Sequence, residues 1–125
     1  MLIDTDIIIW HMRGNEKARK AISAAEQPSI SIITQMELVQ GLRDKVEQTA
    51  LHRFLDQRDI AVLPVSESIS HRALVLMEEW RLSHGLLMAD ALIAATAVDY
   101  GVTLLSGNHK HYSFIPSLTL KRFKP

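Results

Sequence analysis

Three acidic residues, Asp4, Glu37 and Asp90, come from distant segments and share an oxygen chemistry that could hold a cation. Carboxylates that lie close together repel and raise one another's pKa unless a positive charge lies between them. Mg²⁺ and Mn²⁺ are the natural neutralisers, because both prefer oxygen ligands. Such a cation lowers the pKa of a bound water and stabilises charge on a phosphate. These residue types therefore predict metal-assisted hydrolysis of a phosphodiester.

Further polar residues accompany these acids. Asn108 is a fourth catalytic candidate, since its carbonyl oxygen could bind a metal or the water on it. Asp6 could add a carboxylate to the site or cap the first helix. His109 and His111 could bind phosphate or transfer a proton. The accessory candidates are thus Asp6, Thr34, His109 and His111.

The elements that must position these residues follow from the hydrophobic pattern. Apolar, largely β-branched runs predict buried strands, and apolar stripes at helical spacing predict helices. The strands are predicted at 2–3, 30–33, 60–63 and 102–105, with a last edge strand at 117–120. The helices are predicted at 7–13, 16–25, 34–41, 46–58, 66–82 and 89–100.

Continuous apolar strands that alternate with helices predict a parallel sheet covered on both faces. We therefore expect one domain over residues 1–125, a three-layer α/β/α fold with a mainly parallel central sheet. In such folds ligands bind beyond the carboxyl ends of the strands. Asp4 directly follows the first strand, and Glu37 and Asp90 lie near the starts of helices at the same edge. The fold thus predicts that the three acids converge.

Each of these residues also has an ordinary structural interpretation. Asp4 and Asp90 stand at predicted helix starts, where aspartate is a preferred cap. Thr34-x-x-Glu37 matches the capping-box pattern, and Asn108 is a common turn residue. A binding module whose acids only cap helices therefore remains an alternative.

Composition sets broad limits on function. Lysine plus arginine equals aspartate plus glutamate at 14 each, so net charge gives no support for a nucleic-acid binder. The chain has no cysteine, which excludes disulfides and thiolate metal sites. No apolar run approaches the roughly 18 residues of a membrane span, and the first residues lack a basic flank typical of a signal peptide. We expect a cytoplasmic protein without a membrane partner.

Four segments carry a family resemblance. They are MLIDTD at 1–6, SIITQMEL at 31–38 followed by Gly41-Leu42, ADALIAATA at 89–97, and LLSGNHKHY at 104–112. In this order, over nearly the whole chain, the sequence resembles the PIN-domain family, and within it the VapC-type toxins of bacterial toxin–antitoxin pairs. The segment at 89–97 is the most specific of the four.

The resemblance implies an endoribonuclease that uses Mg²⁺ or Mn²⁺ held by Asp4, Glu37 and Asp90. It also implies an RNA substrate, a homodimer, and a cognate antitoxin that covers the site. One departure is that many members carry a further aspartate at the position of Asn108 or His111, where this chain has no acid. That difference removes a negative charge and predicts weaker metal binding, unless Asp6 compensates.

The sequence also contains candidates for two other surfaces and allows one other function. Arg13, Arg43 and Lys110 are candidates for contacts with RNA phosphates. Trp10, Met12 and Leu42 could line an antitoxin groove or belong to the core. A nuclease of the same fold that processes RNA outside a toxin–antitoxin pair is the remaining alternative function.

Overall fold

Five short strands form one sheet in the computed structural model, which describes all 125 residues. The strands are β1 (Leu2–Ile3), β2 (Ser29–Ser31), β3 (Ala61–Leu63), β4 (Leu104–Ser106) and β5 (Leu120–Arg122). Their order across the sheet is β3-β2-β1-β4-β5, and every neighbouring pair is parallel. The predicted mainly parallel sheet is therefore confirmed.

Seven helices connect the strands and cover the sheet. They are α1 (Thr5–Met12), α2 (Glu16–Ala24), α3 (Ile32–Gln40), α4 (Lys45–Gln57), α5 (Glu67–His84), α6 (Met88–Tyr100) and α7 (His109–Tyr112). No helix is both long and apolar enough to cross a membrane.

Adjacent residues of the central strands face opposite sides of the sheet, and the side chains on both sides are buried. Leu2 and Leu104 join a core cluster that includes residues of α5 and α6, whereas Ile3 and Leu105 join a second cluster with residues of α1 to α4. All four side chains are at most 2% exposed. The two-residue period of a strand thus explains both apolar layers, and the three-layer α/β/α fold is confirmed.

The second strand and the helix after it differ from the sequence prediction. The strand was expected at 30–33, but β2 ends at Ser31 and α3 begins at Ile32. The Ser31 hydroxyl accepts a hydrogen bond from the Ile33 backbone N–H and caps α3. β-branched residues favour strands, yet here the cap decides that Ile32 and Ile33 are helical.

Three other boundaries also shift. α1 begins at Thr5 rather than at residue 7, because Asp4 caps it directly. β4 ends at Ser106 rather than at residue 105, and β5 lies at Leu120–Arg122 rather than at 117–120. The short helix α7 was not predicted at all, since its four residues carry no helical periodicity.

The sheet has a topological switch point between β1 and β4. From β1 the chain moves to β2 and β3 on one side, then returns to place β4 and β5 on the other. Open α/β sheets bind ligands in the crevice beyond the carboxyl ends of strands at such a point. Asp4 follows β1 and Ser106 ends β4, so both border this crevice.

Candidate active site

Asp4 is a buried carboxylate held from both sides at the switch point. It is 3% exposed, and its Oδ1 accepts a hydrogen bond of 2.8 Å from the Thr5 backbone N–H. Its Oδ2 accepts one of 2.7 Å from the Ser106 hydroxyl. Ser106 Oγ in turn accepts a hydrogen bond from the Asn108 backbone N–H. Asp4 therefore caps α1, as one sequence interpretation held, and is also fixed to the carboxyl end of β4.

Glu37 reaches the same edge from α3 through two threonines. The Thr5 hydroxyl donates a hydrogen bond of 2.8 Å to Glu37 Oε1, and the Thr5 and Thr34 hydroxyl oxygens lie 3.0 Å apart. Thr34 is fully buried, whereas Glu37 is exposed. The capping-box interpretation of Thr34 and Glu37 is wrong, because the cap of α3 is Ser31. The two side chains instead link α3 to the first turn of α1.

Asp90 belongs to the first turn of α6 but does not cap it. The capping position is Leu87, which offers no side-chain hydrogen bond. Asp90 Oδ1 accepts a hydrogen bond of 3.2 Å from the Tyr112 hydroxyl, and Asp90 Oδ2 lies 3.0 Å from His111 Nδ1. The capping interpretation is therefore wrong for Asp90, whose carboxylate faces α7 instead.

Burial and mutual repulsion raise the pKa of the acids at this edge. Desolvation raises the pKa of Asp4 most, and the charge of Asp90 raises it further. Desolvation likewise raises the pKa of Asp90, with a smaller contribution from the charge of Glu37. The Tyr112 hydroxyl lowers the pKa of both Asp4 and Asp90, because it stabilises their charged forms. Asp90 therefore lies close enough to Asp4, and Glu37 close enough to Asp90, for their charges to interact.

Asp6 supports the loop after β4 rather than capping a helix. Its Oδ2 accepts a hydrogen bond of 2.9 Å from the Gly107 backbone N–H, while its buried Oδ1 has no hydrogen-bond partner. A Cβ atom at Gly107 would lie 2.6 Å from Asp6 Oδ2, so only glycine allows this approach. Desolvation and the charge of Asp4 raise the pKa of Asp6 to about 6.

The acids at this edge are of the oxygen type that a hard divalent cation prefers, but their side chains are not drawn together into one cluster. No group of three or more His, Cys, Asp or Glu side chains lies close enough together here to hold a metal ion. No lysine or arginine forms an ion pair with Asp4, Asp6, Glu37 or Asp90, and the one basic side chain within ion-pair distance of Asp90 is His111. These acids have no lysine or arginine partner, so Mg²⁺ or Mn²⁺ would neutralise their negative charge.

The remaining candidates lie on the loop after β4 and on nearby surfaces. Asn108 is exposed and contacts the site only through its backbone N–H, and the exposed His109 side chain makes no hydrogen bond or ion pair. Lys110 lines a cleft of about 280 Å³ together with Asp90 and His111.

Of the basic RNA-contact candidates, Arg13 is exposed and its guanidinium lies 5.9 Å from the Trp10 ring centroid. Arg43 forms an ion pair of 2.9 Å with Glu47.

Sequence reasoning missed three residues that organise this edge: Thr5, Ser106 and Tyr112. The first two could have been found, because each is a hydroxyl residue beside or at the end of a strand that carries the site. Tyr112 had no such signal. It is 1% exposed, and only the unpredicted helix α7 brings its hydroxyl to Asp90.

Comparison with known proteins identifies similar chains over nearly the full length. The model of the PIN domain family matches residues 1–114. Ribonuclease VapC10 of Mycobacterium tuberculosis is 33% identical over 122 residues, which cover 94% of this chain and 90% of the relative. Ribonuclease VapC19 of the same organism is 34% identical over 122 residues, with 94% and 95% covered.

Solved structures agree with these sequence relatives. One example is a chain of a toxin–antitoxin complex from Klebsiella pneumoniae. That matched chain superposes with a TM-score of 0.80 at 29% identity and 94% coverage of each chain. A chain of DNA-bound VapBC from Salmonella typhimurium superposes with a TM-score of 0.82 and coverage of 97% and 96%. Because the two chains are only 22% identical, this similarity shows the fold alone.

Proposed function

This chain belongs to the PIN domain family, and we propose that it is a metal-dependent endoribonuclease, the toxin of a toxin–antitoxin pair. The observation that carries the proposal is the set of acids at the switch point, Asp4, Glu37 and Asp90, none of which has a lysine or arginine partner. The relatives that are at least 33% identical over most of the chain are named ribonucleases.

Asp4, Glu37 and Asp90 would hold the cation, Mg²⁺ or Mn²⁺. When bound, the cation supplies Lewis-acid chemistry, in that it favours deprotonation of a water and neutralises charge on the phosphate. The protein contributes preorganisation. The Ser106 hydroxyl and the Thr5 N–H hold both oxygens of Asp4, and the Tyr112 hydroxyl orients Asp90. These contacts fix carboxylates before substrate arrives, so less reorganisation is needed during the reaction.

The proposed substrate is RNA, which would approach over the exposed loop after β4. Lys110 lies beside Asp90 in the cleft, and Arg13 lines a second cleft with Glu37. Their positive charges could contact phosphates on either side of the acids. An enzyme that cleaves cellular RNA acts in the cytoplasm, which is where we place it.

The proposed protein partner is a cognate antitoxin. The second cleft, of about 340 Å³ between α1 and α3, is lined by apolar residues that include Met12 and Leu42 and also by Arg13 and Glu37. Met12 is 52% exposed, whereas Leu42 and Trp10 pack against the core, so only part of the predicted groove set is free. A segment bound there would lie next to Glu37 and could cover the acids.

The predicted homodimer belongs to the same proposal. Light scattering on the purified chain should give a mass near 28 kDa, twice the 14.1 kDa of one chain. A mass of a single chain at micromolar concentration would contradict the dimer and leave the nuclease proposal intact.

The decisive experiment is cleavage of total RNA with and without EDTA. We expect Asp4→Asn and Asp90→Asn to lose about a hundredfold or more in rate, because loss of even an outer partner of a metal ligand costs about ten- to a hundredfold. Asp56→Asn, an exposed acid on α4, is the matched control and should cleave like the parent. Equal cleavage by all four proteins, or cleavage that EDTA does not affect, would overturn the assignment of the metal site. Absence of cleavage by the parent would favour the binding-module alternative.

The presence of an antitoxin would distinguish a toxin from an RNA-processing nuclease. A toxin should be encoded beside a short DNA-binding antitoxin, and that protein should inhibit cleavage when the two are mixed. The variant Met12→Lys should weaken this inhibition, because it replaces an exposed apolar side chain of the cleft with a charged one. Without such a neighbour or inhibition, the RNA-processing alternative would be correct.

A further inference from the structure

The charges of this chain are unevenly distributed along its length. All 14 aspartates and glutamates lie within residues 1–99, whereas residues 100–125 carry four lysines and arginines, which are Lys110, Lys121, Arg122 and Lys124. The neutral total is therefore the sum of a basic C-terminal segment and an acidic remainder. Such a distribution creates a local positive potential even though the net charge is zero.

Three of these basic residues line one cleft. Lys121, Arg122 and Lys124 border a cleft of about 240 Å³ between β5 and α2, and Lys17 of α2 lines the same cleft. All four side chains are exposed, and none of them forms an ion pair with an acid. Two distant segments thus bring four unneutralised positive charges to one place, the basic cleft.

We propose that the basic cleft binds the phosphate backbone of the RNA substrate, beyond the nucleotides that lie at the catalytic acids. This inference rests on the proposed ribonuclease function. None of the four lysines and arginines of the cleft belongs to the RNA-contact candidates that the sequence indicated.

The basic cleft adjoins the edge of the sheet that carries the acids. Arg122 pairs in register with Ser106, and the Phe123 backbone N–H donates a hydrogen bond of 2.8 Å to the Ser106 carbonyl oxygen. The hydroxyl of the same serine donates to Asp4. The segment that carries Arg122 and Lys124 therefore borders the candidate active site. An RNA strand held at the acids can pass the loop after β4 and continue into the cleft.

The lining of the cleft favours a polyanion over a protein partner. Leu105 and Phe123 line it but are only 2% and 7% exposed, and its other apolar lining residues are Met1 and three alanines. Protein partners bind mainly through large apolar or aromatic anchors, which the second cleft offers in Met12. Phosphates need only positive charge, because their binding is driven by release of counterions. Such contacts position an RNA strand and do not select its sequence.

The test is fluorescence anisotropy with a fluorescein-labelled single-stranded RNA of about 20 nucleotides and mixed sequence. EDTA is present, so the RNA stays intact and the readout does not depend on a bound cation. The cleft variant carries Lys17→Gln and Lys124→Gln. The matched control carries Lys45→Gln and Arg53→Gln on α4, which removes the same charge at two exposed side chains without ion pairs.

The expected loss of affinity follows from the salt dependence. Each lost phosphate contact reduces the slope of log affinity against log salt by about 0.7 for a single strand, which is about fivefold at 0.1 M salt relative to 1 M. We therefore expect the cleft variant to bind about 25-fold more weakly than the parent at about 0.1 M salt, with a shallower slope. The control should stay within about twofold of the parent, because charges more than about 10 Å away are screened at this salt concentration.

Cleavage of total RNA provides the second readout. The cleft variant should cleave more slowly than the control when RNA is limiting, and the difference should shrink as RNA approaches saturation. This pattern is expected because contacts away from the reacting phosphate strengthen binding of substrate and transition state equally. A deficit that is as large at saturating RNA as at limiting RNA would contradict a role in binding alone.

The outcomes separate this inference from the proposed function. Equal RNA affinity of the cleft variant and the control would overturn the RNA-binding role of the cleft. If that equality came with weaker inhibition by the antitoxin, the cleft would instead bind the partner protein. If the parent does not cleave RNA but the cleft variant still binds it more weakly than the control, the nuclease proposal is wrong and the RNA-binding cleft is supported.

Discussion

Replacement of Asp6 by asparagine tests the electrostatics of the site without touching a proposed metal ligand. In the folded chain the pKa of Asp6 is raised from 3.8 to about 6, mainly by desolvation and then by the charge of Asp4. The folded chain therefore binds this proton more tightly than the unfolded chain does. Stability must fall as the pH rises from about 4 to above 6, because the carboxylate becomes charged where charge is disfavoured.

The size of this effect follows from the shift. About two pKa units correspond to about 3 kcal/mol, and since Asp6 is partly exposed, solvent screening reduces this to about 1–2 kcal/mol. Asparagine keeps the shape and can still accept the Gly107 N–H, but it has no charge to lose or gain. We therefore expect the parent to lose about 1–2 kcal/mol more than Asp6→Asn between pH 4 and pH 7.

The assay is urea unfolding followed by circular dichroism, with EDTA present, at several pH values from 4 to 8. The difference between the two curves reports Asp6 together with its charge interaction with Asp4, because contributions of the more distant acids are common to both proteins. Asp56→Asn, on the exposed surface of α4, should run parallel to the parent at every pH. Parallel curves for Asp6→Asn and the parent would refute the reasoning, since the charged form of Asp6 would then be no less stable than in water.

Three further predictions concern the loop after β4 and the substrate. Gly107→Ala should lower the free energy of unfolding by about 1–3 kcal/mol, because the new Cβ would lie 2.6 Å from Asp6 Oδ2. Gly41→Ala should change it little, since its Cβ would lie 3.6 Å from the nearest atom. Equal urea midpoints for the two variants would contradict the close approach. Ser106→Ala should cost about 1–3 kcal/mol in thermal unfolding, because Asp4 Oδ2 loses its donor in a buried site; an unchanged melting temperature would show that the hydroxyl is dispensable. Cleavage of RNA at subsaturating concentration should slow steadily as salt rises, because phosphate contacts release counterions, and a rate that is independent of salt would count against charge-assisted binding.

The fold was predictable from the sequence because its signals are local and mutually consistent. Four apolar runs that alternate with helical stripes allow few arrangements other than a covered parallel sheet. The strand that contains Ile30 was nevertheless extended too far, since Ile32 and Ile33 have the composition of a strand and the conformation of a helix. The hydroxyl of Ser31 outweighs their local preference once it caps α3.

The capping interpretations show where a pattern is ambiguous in principle. A carboxylate near a helix start can accept from the first turn or point away from it, and the sequence is the same in both cases. Asp4 does both, as it accepts from Thr5 and from Ser106. Asp90 does not cap α6, and its carboxylate instead contacts the side chains of Tyr112 and His111.

The sequence by itself determined the acids and the order along the chain of all elements except α7. It also determined the sheet edge at which the acids emerge, because these features depend on residue type and period. Only the tertiary structure decided which partner each acid has. Ser106 lies 102 residues from Asp4 along the chain, and Tyr112 lies 22 residues from Asp90, yet each pair is in hydrogen-bond contact. Such contacts depend on how β4 and α7 pack beside β1 and α6. Packing is a property of the whole folded chain, and the spacing of residues within one segment does not encode it.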